Sequence, residues 1–288
     1  MYSFHEGYQR ALGIDETGVP GMSRGTNNDP SMSEILNLTG KVAIVTGGAM
    51  GLGFCVVNRL CEAGARVVIA DVADEYAERA LGYFGDKGYV VRFVKADVTD
   101  VAQVKAAVDF TVKEFGAVDI LVTDAGVWAH ALLSEITEET FYEMIDINLK
   151  GTLFFIQAVA DAMERQETGG RIVTVASVAG LSADQAPIMF EYVASKSAVV
   201  ALTKSLAKGL KHKGIRINCV LPGGMLTPGA MTTHGTEAAK ELRESTRSPL
   251  ADPDDVARVI FMLSTPISDF MYGATLSVDG GAFLGIEE

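Results

Sequence analysis

Short apolar runs alternate with amphipathic stretches from Lys41 onward. The runs at 42–46, 66–70, 90–95, 120–123, 171–176, 216–221 and 275–278 are rich in β-branched residues, and most are apolar at successive positions. Strands that are apolar on both sides belong in a sheet covered on both faces, the usual setting of parallel β-structure. Between them, helical periodicity runs over 51–63, 74–86, 101–115, 138–165, 191–212 and 253–263. This alternation predicts an α/β fold: one doubly wound domain with a mostly or wholly parallel seven-stranded sheet and helices on both faces. Residues 1–38 break the rhythm. Gly18-Val19-Pro20-Gly21 and Gly25-Thr26-Asn27-Asn28-Asp29-Pro30-Ser31 are turn formers without periodicity, so 1–38 reads as an N-terminal extension and 39–288 as the domain.

Composition narrows the function classes. Hydrophobic residues make up 48% and charged residues 21% of the 288, which excludes general disorder. The net charge of −13, with no dense Lys/Arg run, argues against nucleic acid as a partner. No apolar stretch approaches the ~18 residues needed to span a bilayer, so no membrane role is expected. The three cysteines, Cys55, Cys61 and Cys219, show neither CxxC nor metal spacing. They suit a reducing, cytoplasmic setting, and no metal site is expected. Glycine is in surplus, 30 residues or about 10% against a usual share of roughly 7%.

Part of that surplus lies at the first strand–helix junction, Thr46-Gly47-Gly48-Ala49-Met50-Gly51-Leu52-Gly53. Gly47 permits the tight turn, while Gly51 and Gly53 let a helix start approach a pyrophosphate and pack on the sheet. Asp71 ends the second strand, 18 residues after Gly53. A carboxylate there accepts hydrogen bonds from the adenosine ribose hydroxyls and repels a 2′-phosphate. Met50 supplies no guanidinium to bind that phosphate, so NAD is the expected cofactor.

Tyr192 and Lys196 stand at i and i+4 of a predicted helix and share a face. A free tyrosine is a poor base at neutral pH, and a neighbouring ammonium favours its phenolate. Ser177 follows the apolar strand at 171–176, at the edge where open sheets bind ligands. Asn148, a poor helix former, falls inside the predicted helix 138–165.

The glycine-rich junction together with Tyr192-Val193-Ala194-Ser195-Lys196 resembles the short-chain dehydrogenase/reductase family, in its classical subgroup, over about residues 38–284. The resemblance implies a Rossmann-like fold and an NAD(P)-binding catalytic domain that interconverts a secondary alcohol and a ketone. It implies Tyr192 as general acid/base, Lys196 as the residue that binds the nicotinamide ribose and lowers the tyrosine pKa, and Ser177 as a hydrogen-bond partner of the substrate oxygen. Asn148 is then the holder of a water that extends the proton relay. Gly47, Met50, Gly51, Leu52, Gly53 and Asp71 become cofactor contacts. Asp97 and Val98 resemble the pair that holds the adenine ring. Pro222, Gly223, Met225 and Thr227 resemble the segment that places the nicotinamide, and Val278-Asp279-Gly280-Gly281 matches the last strand and turn.

Two departures stand out. Thr123-Asp124-Ala125-Gly126 replaces the family's usual Asn-Asn-Ala-Gly. Ala125 and Gly126 keep their expected cofactor contacts, while Asp124 adds a charge and loses an amide donor. The 15 residues from Ser177 to Tyr192 exceed the family's usual interval, and the added length falls in 182–189, a loop expected to border the substrate.

Trp128, His130, Met189, Met225, Leu226 and Met231 suggest apolar, adaptable walls for a small-molecule alcohol or ketone such as a hydroxysteroid or bile acid. A 3-oxoacyl or sugar-alcohol substrate, and a non-catalytic NAD-binding protein, are the alternatives. An epimerase is disfavoured, because no sizeable substrate domain remains. The family's habit of pairing its two long helices, and the apolar Val199, Val200, Leu202, Leu206 and Leu210, predict a homotetramer.

Overall fold

The computed structural model describes residues 30–181, 189–228 and 250–284. The first 29 residues of the expected extension, most of the 182–189 loop, and Met231 lie outside the described residues. Chain contacts separate a unit ending at Leu36 from one beginning at Asn37. In the first, a helical turn at Met32–Ile35 is capped by Ser31, whose hydroxyl accepts the Glu34 N–H while the Glu34 carboxylate accepts the Ser31 N–H.

Among its described residues the second unit carries seven strands: β1 Val42–Thr46, β2 Arg66–Asp71, β3 Val91–Lys95, β4 Ile120–Thr123, β5 Gly170–Val175, β6 Ile215–Pro222 and β7 Thr275–Val278. Every pairing is parallel, in the order β3-β2-β1-β4-β5-β6-β7. The order reverses between β1 and β4, and the C-terminal ends of those strands open a crevice there. The helices that accompany the strands are α1 Gly51–Glu62, α2 Asp74–Asp86, α3 Val101–Phe115, α4 Glu138–Ile145, α5 Thr152–Gln166, α6 Phe190–Lys211 and α7 Pro253–Leu263, of which α1, α4 and α6 reach the crevice.

The doubly apolar strands do what their pattern requires. Ala43 and Val45 of β1 join a core with Val56 and Leu60 of α1 and Val256 and Ile260 of α7. Ile44, between them, faces the opposite core with Val104 and Val108 of α3 and Phe155 and Val159 of α5. Successive side chains thus enter two separate cores.

The expected helix 138–165 stays helical throughout, but widens to a π-helical turn at Asp146–Gly151 between α4 and α5. Gly151 is pressed against the β3 exit, where an added Cβ would stand 2.7 Å from Val98 Cβ. The Thr152 hydroxyl donates back to the Asn148 carbonyl at 2.9 Å. Such wide turns arise where the helical ladder yields to a tertiary contact. The apolar surplus of α6 also has an explanation within the chain, since Val199, Val200 and Leu210 are buried and Leu202 and Leu206 pack against the second core.

Candidate active site

The glycine-rich junction folds as a tight cradle. Gly47 and Gly51 have φ of +67° and +57°, a region that favours glycine. A side chain at Gly53 would collide with the Gly47 carbonyl, which lets α1 begin directly against the loop. The α1 N-cap, Met50, makes no side-chain hydrogen bond, and the first turn holds no acidic residue. That helix end is suited to an anion. Thr46 Oγ1 accepts the Asp124 and Ala125 N–H groups, both at 3.1 Å, and so locks the end of β1 to the end of β4. Asp71 accepts the Ala49 N–H and the Ala73 N–H, each at 3.1 Å.

Above these strand ends lies a cleft of about 1040 Å³. Gly47, Met50, Gly51, Leu52 and Asp71, all expected cofactor contacts, line the cleft, and Asp97 and Val98 also reach it. Asp97 uses one carboxylate oxygen on the Thr99 N–H and hydroxyl, both at 2.8 Å. Asp124, Ala125 and Gly126 line it from β4, and Pro222, Gly223, Met225 and Thr227 from β6. Met225 is held by a bridge to Ala251. Gly53 lies beneath the loop and does not line the cleft. The dinucleotide therefore fits the residues present: the cradle admits no Cβ at Gly53, the N-cap residue Met50 makes no side-chain hydrogen bond, and a carboxylate stands at the end of β2.

Ser177, Tyr192 and Lys196 also meet at this cleft. Ser177 leaves β5, and its hydroxyl accepts the Ala179 N–H at 3.2 Å while hydrogen-bonding the Tyr192 phenol. Lys196 follows one helical turn after Tyr192, with Nζ 5.7 Å from the tyrosine ring centroid. Its ammonium donates to the Val175 carbonyl at 3.1 Å, and the side chain is buried.

Asn148 is buried behind these groups rather than lining the cleft. Its Oδ1 accepts the Val127 N–H at 2.8 Å, and its amide donates to the Val127 carbonyl at 2.9 Å and to Ser195 Oγ at 3.0 Å. Ser195 in turn donates to the Tyr192 carbonyl at 2.8 Å. The amide side chain is thus spent on protein partners. The Asn148 backbone carbonyl accepts the Thr152 hydroxyl.

Burial dominates the electrostatics. It pushes the Tyr192 phenol above its usual range, the Ser177 hydrogen bond pulls it back, and the Asp124 charge pushes it further up. Burial also lowers Lys196, against support from Asp124 and Cys219. The net shift of Tyr192 is therefore upward, and its lowering contribution comes from Ser177 rather than from Lys196. Asp124 is pushed up to about 7 by burial, against the downward pulls of the Lys196 ammonium and the Gly53 N–H and with a further rise from Asp71.

Sequence reasoning passed over Thr46 and Ser195 as working parts. Both are buried small polar residues inside motifs singled out for other residues, and nothing in their spacing marked them. On the remaining wall, Trp128 and His130 stand edge to face with ring centroids 5.5 Å apart, and Met189 borders the same cleft.

A model of the short chain dehydrogenase family matches residues 41–238. The chain is 33% identical over 262 residues to a galactitol 2-dehydrogenase of Agrobacterium fabrum, covering 86% of this chain and all of the relative. Among solved structures, a 7 alpha-hydroxysteroid dehydrogenase complexed with NADH and 7-oxo glycochenodeoxycholic acid superimposes with a TM-score of 0.81 at 29% identity, over 90% of this chain and 99% of that one. A gluconate 5-dehydrogenase from Burkholderia cenocepacia J2315, in complex with NADP and tartrate, gives a TM-score of 0.81 at 31% identity, over 89% and 100% of the two chains.

Proposed function

The chain belongs to the short chain dehydrogenase family of oxidoreductases acting on CH–OH groups, and on that premise we propose that it interconverts a secondary alcohol and a ketone with NAD. The observation that carries this reading is the Ser177–Tyr192 hydrogen bond at the cleft, with Lys196 one turn behind. The nicotinamide supplies the hydride exchange when bound. Ser177 and Tyr192 hold the substrate oxygen between two hydroxyls, which fixes its position and orientation. In oxidation Tyr192 takes the hydroxyl proton, and in reduction it returns it. Lys196 supports the phenolate and holds the ribose hydroxyls, while the Asn148 carbonyl holds a water that passes the proton to solvent. Asp71 favours NAD over NADP by accepting from ribose hydroxyls and repelling a 2′-phosphate.

For the substrate, the wall of Trp128, Met189 and Met225 supports a bulky hydrophobic alcohol such as a hydroxysteroid or bile acid. The likeness to a galactitol dehydrogenase along that relative's whole length supports a sugar alcohol as the second reading. A panel of hydroxysteroids, bile acids, polyols and 3-hydroxyacyl thioesters, offered with NAD and with NADP and followed by nicotinamide absorbance, separates these readings. Turnover of polyols alone would reject the hydrophobic substrate. No turnover of any secondary alcohol, despite dinucleotide binding, would favour a non-catalytic binder.

The same reading places a homotetramer in the cytoplasm. Phe141 and Tyr142 of α4 and Phe190 at the start of α6 are exposed, which supports pairing through these helices. Among the described residues no helix is long and apolar enough to cross a membrane. Sedimentation velocity tests the assembly, and a stable monomer would reject it.

A further inference from the structure

Asp124 replaces a neutral amide at the point where the chain enters the crevice between β1 and β4. Its backbone is fixed on two sides. The Asp124 N–H donates to Thr46 Oγ1 at 3.1 Å, and the adjoining Ala125 packs against Gly47 so closely that a Cβ on Gly47 would stand 2.9 Å from Ala125 Cα. The carboxylate accepts the Gly53 N–H, which belongs to the first turn of α1. Charged and titratable groups face it from three elements: Cys55 from α1, Asp71 from β2, and Lys196 and Tyr192 from α6.

This arrangement places one of the protein's own anions at the helix end where the proposed cofactor brings a diphosphate. Asp124 satisfies a donor there and supports the Lys196 ammonium. A second anion at the same end repels it, with Asp71 already adding to that repulsion. Lys196 retains the Val175 carbonyl as a partner when Asp124 is neutral.

We propose that Asp124 is a positioning residue that changes charge with the state of the cleft: ionised, it holds Lys196 and the Gly53 N–H, and it takes a proton from solvent when a dinucleotide diphosphate occupies the end of α1. The step is a single proton moving from solvent to the carboxylate, with no bond broken elsewhere. Burial makes the proton available near neutrality, since the Asp124 carboxyl is already pushed far above the usual carboxylate range. NADH is the cleaner probe, because its nicotinamide carries no positive charge to offset the diphosphate. Linkage then requires NADH affinity to weaken with rising pH, by up to tenfold per pH unit where the free protein is ionised and the complex is protonated.

The proposal rests on the cofactor reading above, and one experiment separates the two. NADH is added to the full-length protein and to the Asp124→Asn variant, one pH unit above the Asp124 midpoint. Binding is followed by NADH fluorescence, and protonation by infrared difference spectroscopy in the carboxylic-acid carbonyl region. The expected result is binding by both proteins, with a new carboxylic-acid band in the wild type alone. The same band in both proteins assigns the proton to another carboxyl, and its absence from the wild type despite saturable binding shows no uptake. Either result overturns the proposal and leaves the cofactor reading standing. No NADH binding by the wild type overturns both. Should Asp124→Asn not fold, the wild-type pH series decides, and an NADH affinity that stays flat with pH overturns the proposal.

Discussion

The Asn148 side chain closes a two-point clamp on Val127, accepting its N–H at 2.8 Å and donating to its carbonyl at 2.9 Å. The clamp ties the π-helical segment before α5 to the loop after β4, and its link through Ser195 reaches the Tyr192 backbone. Asn148→Ala leaves the part-buried Val127 N–H and carbonyl without these partners, which costs about 1–3 kcal/mol. Thermal unfolding should move down by roughly 2–4 °C per kcal/mol for a chain of this size. Turnover should fall with it, since the Tyr192 backbone loses its indirect anchor. Unchanged melting temperature and turnover would show that the clamp is dispensable.

Tyr192→Phe removes the phenolic proton and keeps the ring against Lys196. Turnover should drop by about 10²–10⁴-fold, the usual contribution of a positioned acid/base, while NADH affinity stays within a few-fold of wild type. Steady-state kinetics and fluorescence titration measure the two separately. Near-normal turnover would remove Tyr192 from the proton-transfer role.

The direction of the Tyr192 shift gives the pH dependence. Burial raises the phenol first, and the Asp124 charge raises it further, so phenolate is scarce at neutral pH and grows as pH rises. Oxidation uses the phenolate and should accelerate toward alkaline pH, whereas reduction uses the protonated phenol and should not. Profiles of kcat/KM in both directions test this, and oxidation that slows toward alkaline pH would contradict it.

Strands were legible to within about a residue at each end because their signal is local: a β-branched run such as Val42–Thr46 needs no knowledge of its neighbours. The π-helical turn at Asp146–Gly151 was not. Apolar spacing continues across it, and it lies where Gly151 approaches Val98, more than fifty residues away in the chain. Spacing placed Tyr192 and Lys196 on one helix face, and the fold brings Ser177 to them. Asp124 was visible as a substitution, yet its interaction with Lys196 depends on β4 lying beside both β1 and β5. The sign of the Tyr192 shift was hidden for a related reason, because burial is a property of the assembled cleft.

Asp71 holds the Ala49 and Ala73 N–H groups besides standing where a ribose would bind. Hydrogen bonds to a charged group contribute about 1.5–3 kcal/mol each, so Asp71→Ala should raise KM for NAD by roughly tenfold or more. KM for NADP should rise less, because the variant also loses a charge that repels the 2′-phosphate. Parallel kinetics with both dinucleotides give the ratio. An unchanged ratio would show that Asp71 shapes the loop without selecting the cofactor.

Two glycines in neighbouring helices should respond in opposite directions to the same substitution. At Gly53 an added methyl would strike the Gly47 carbonyl and stand 2.9 Å from Gly48 Cα, so the loop or the start of α1 must move. Forced repacking of this kind costs about 1–3 kcal/mol, and the displaced cradle should weaken NADH binding at least tenfold. At Gly82, inside α2, an added Cβ meets no atom within 4 Å. Gly82→Ala should therefore stabilise the fold by roughly 0.5–1 kcal/mol through helix propensity and leave NADH binding unchanged. Denaturant unfolding and NADH fluorescence titration measure both effects. A Gly53→Ala variant with wild-type stability and affinity would overturn the steric basis assigned to that glycine, and a destabilised Gly82→Ala would do the same for the open helix position.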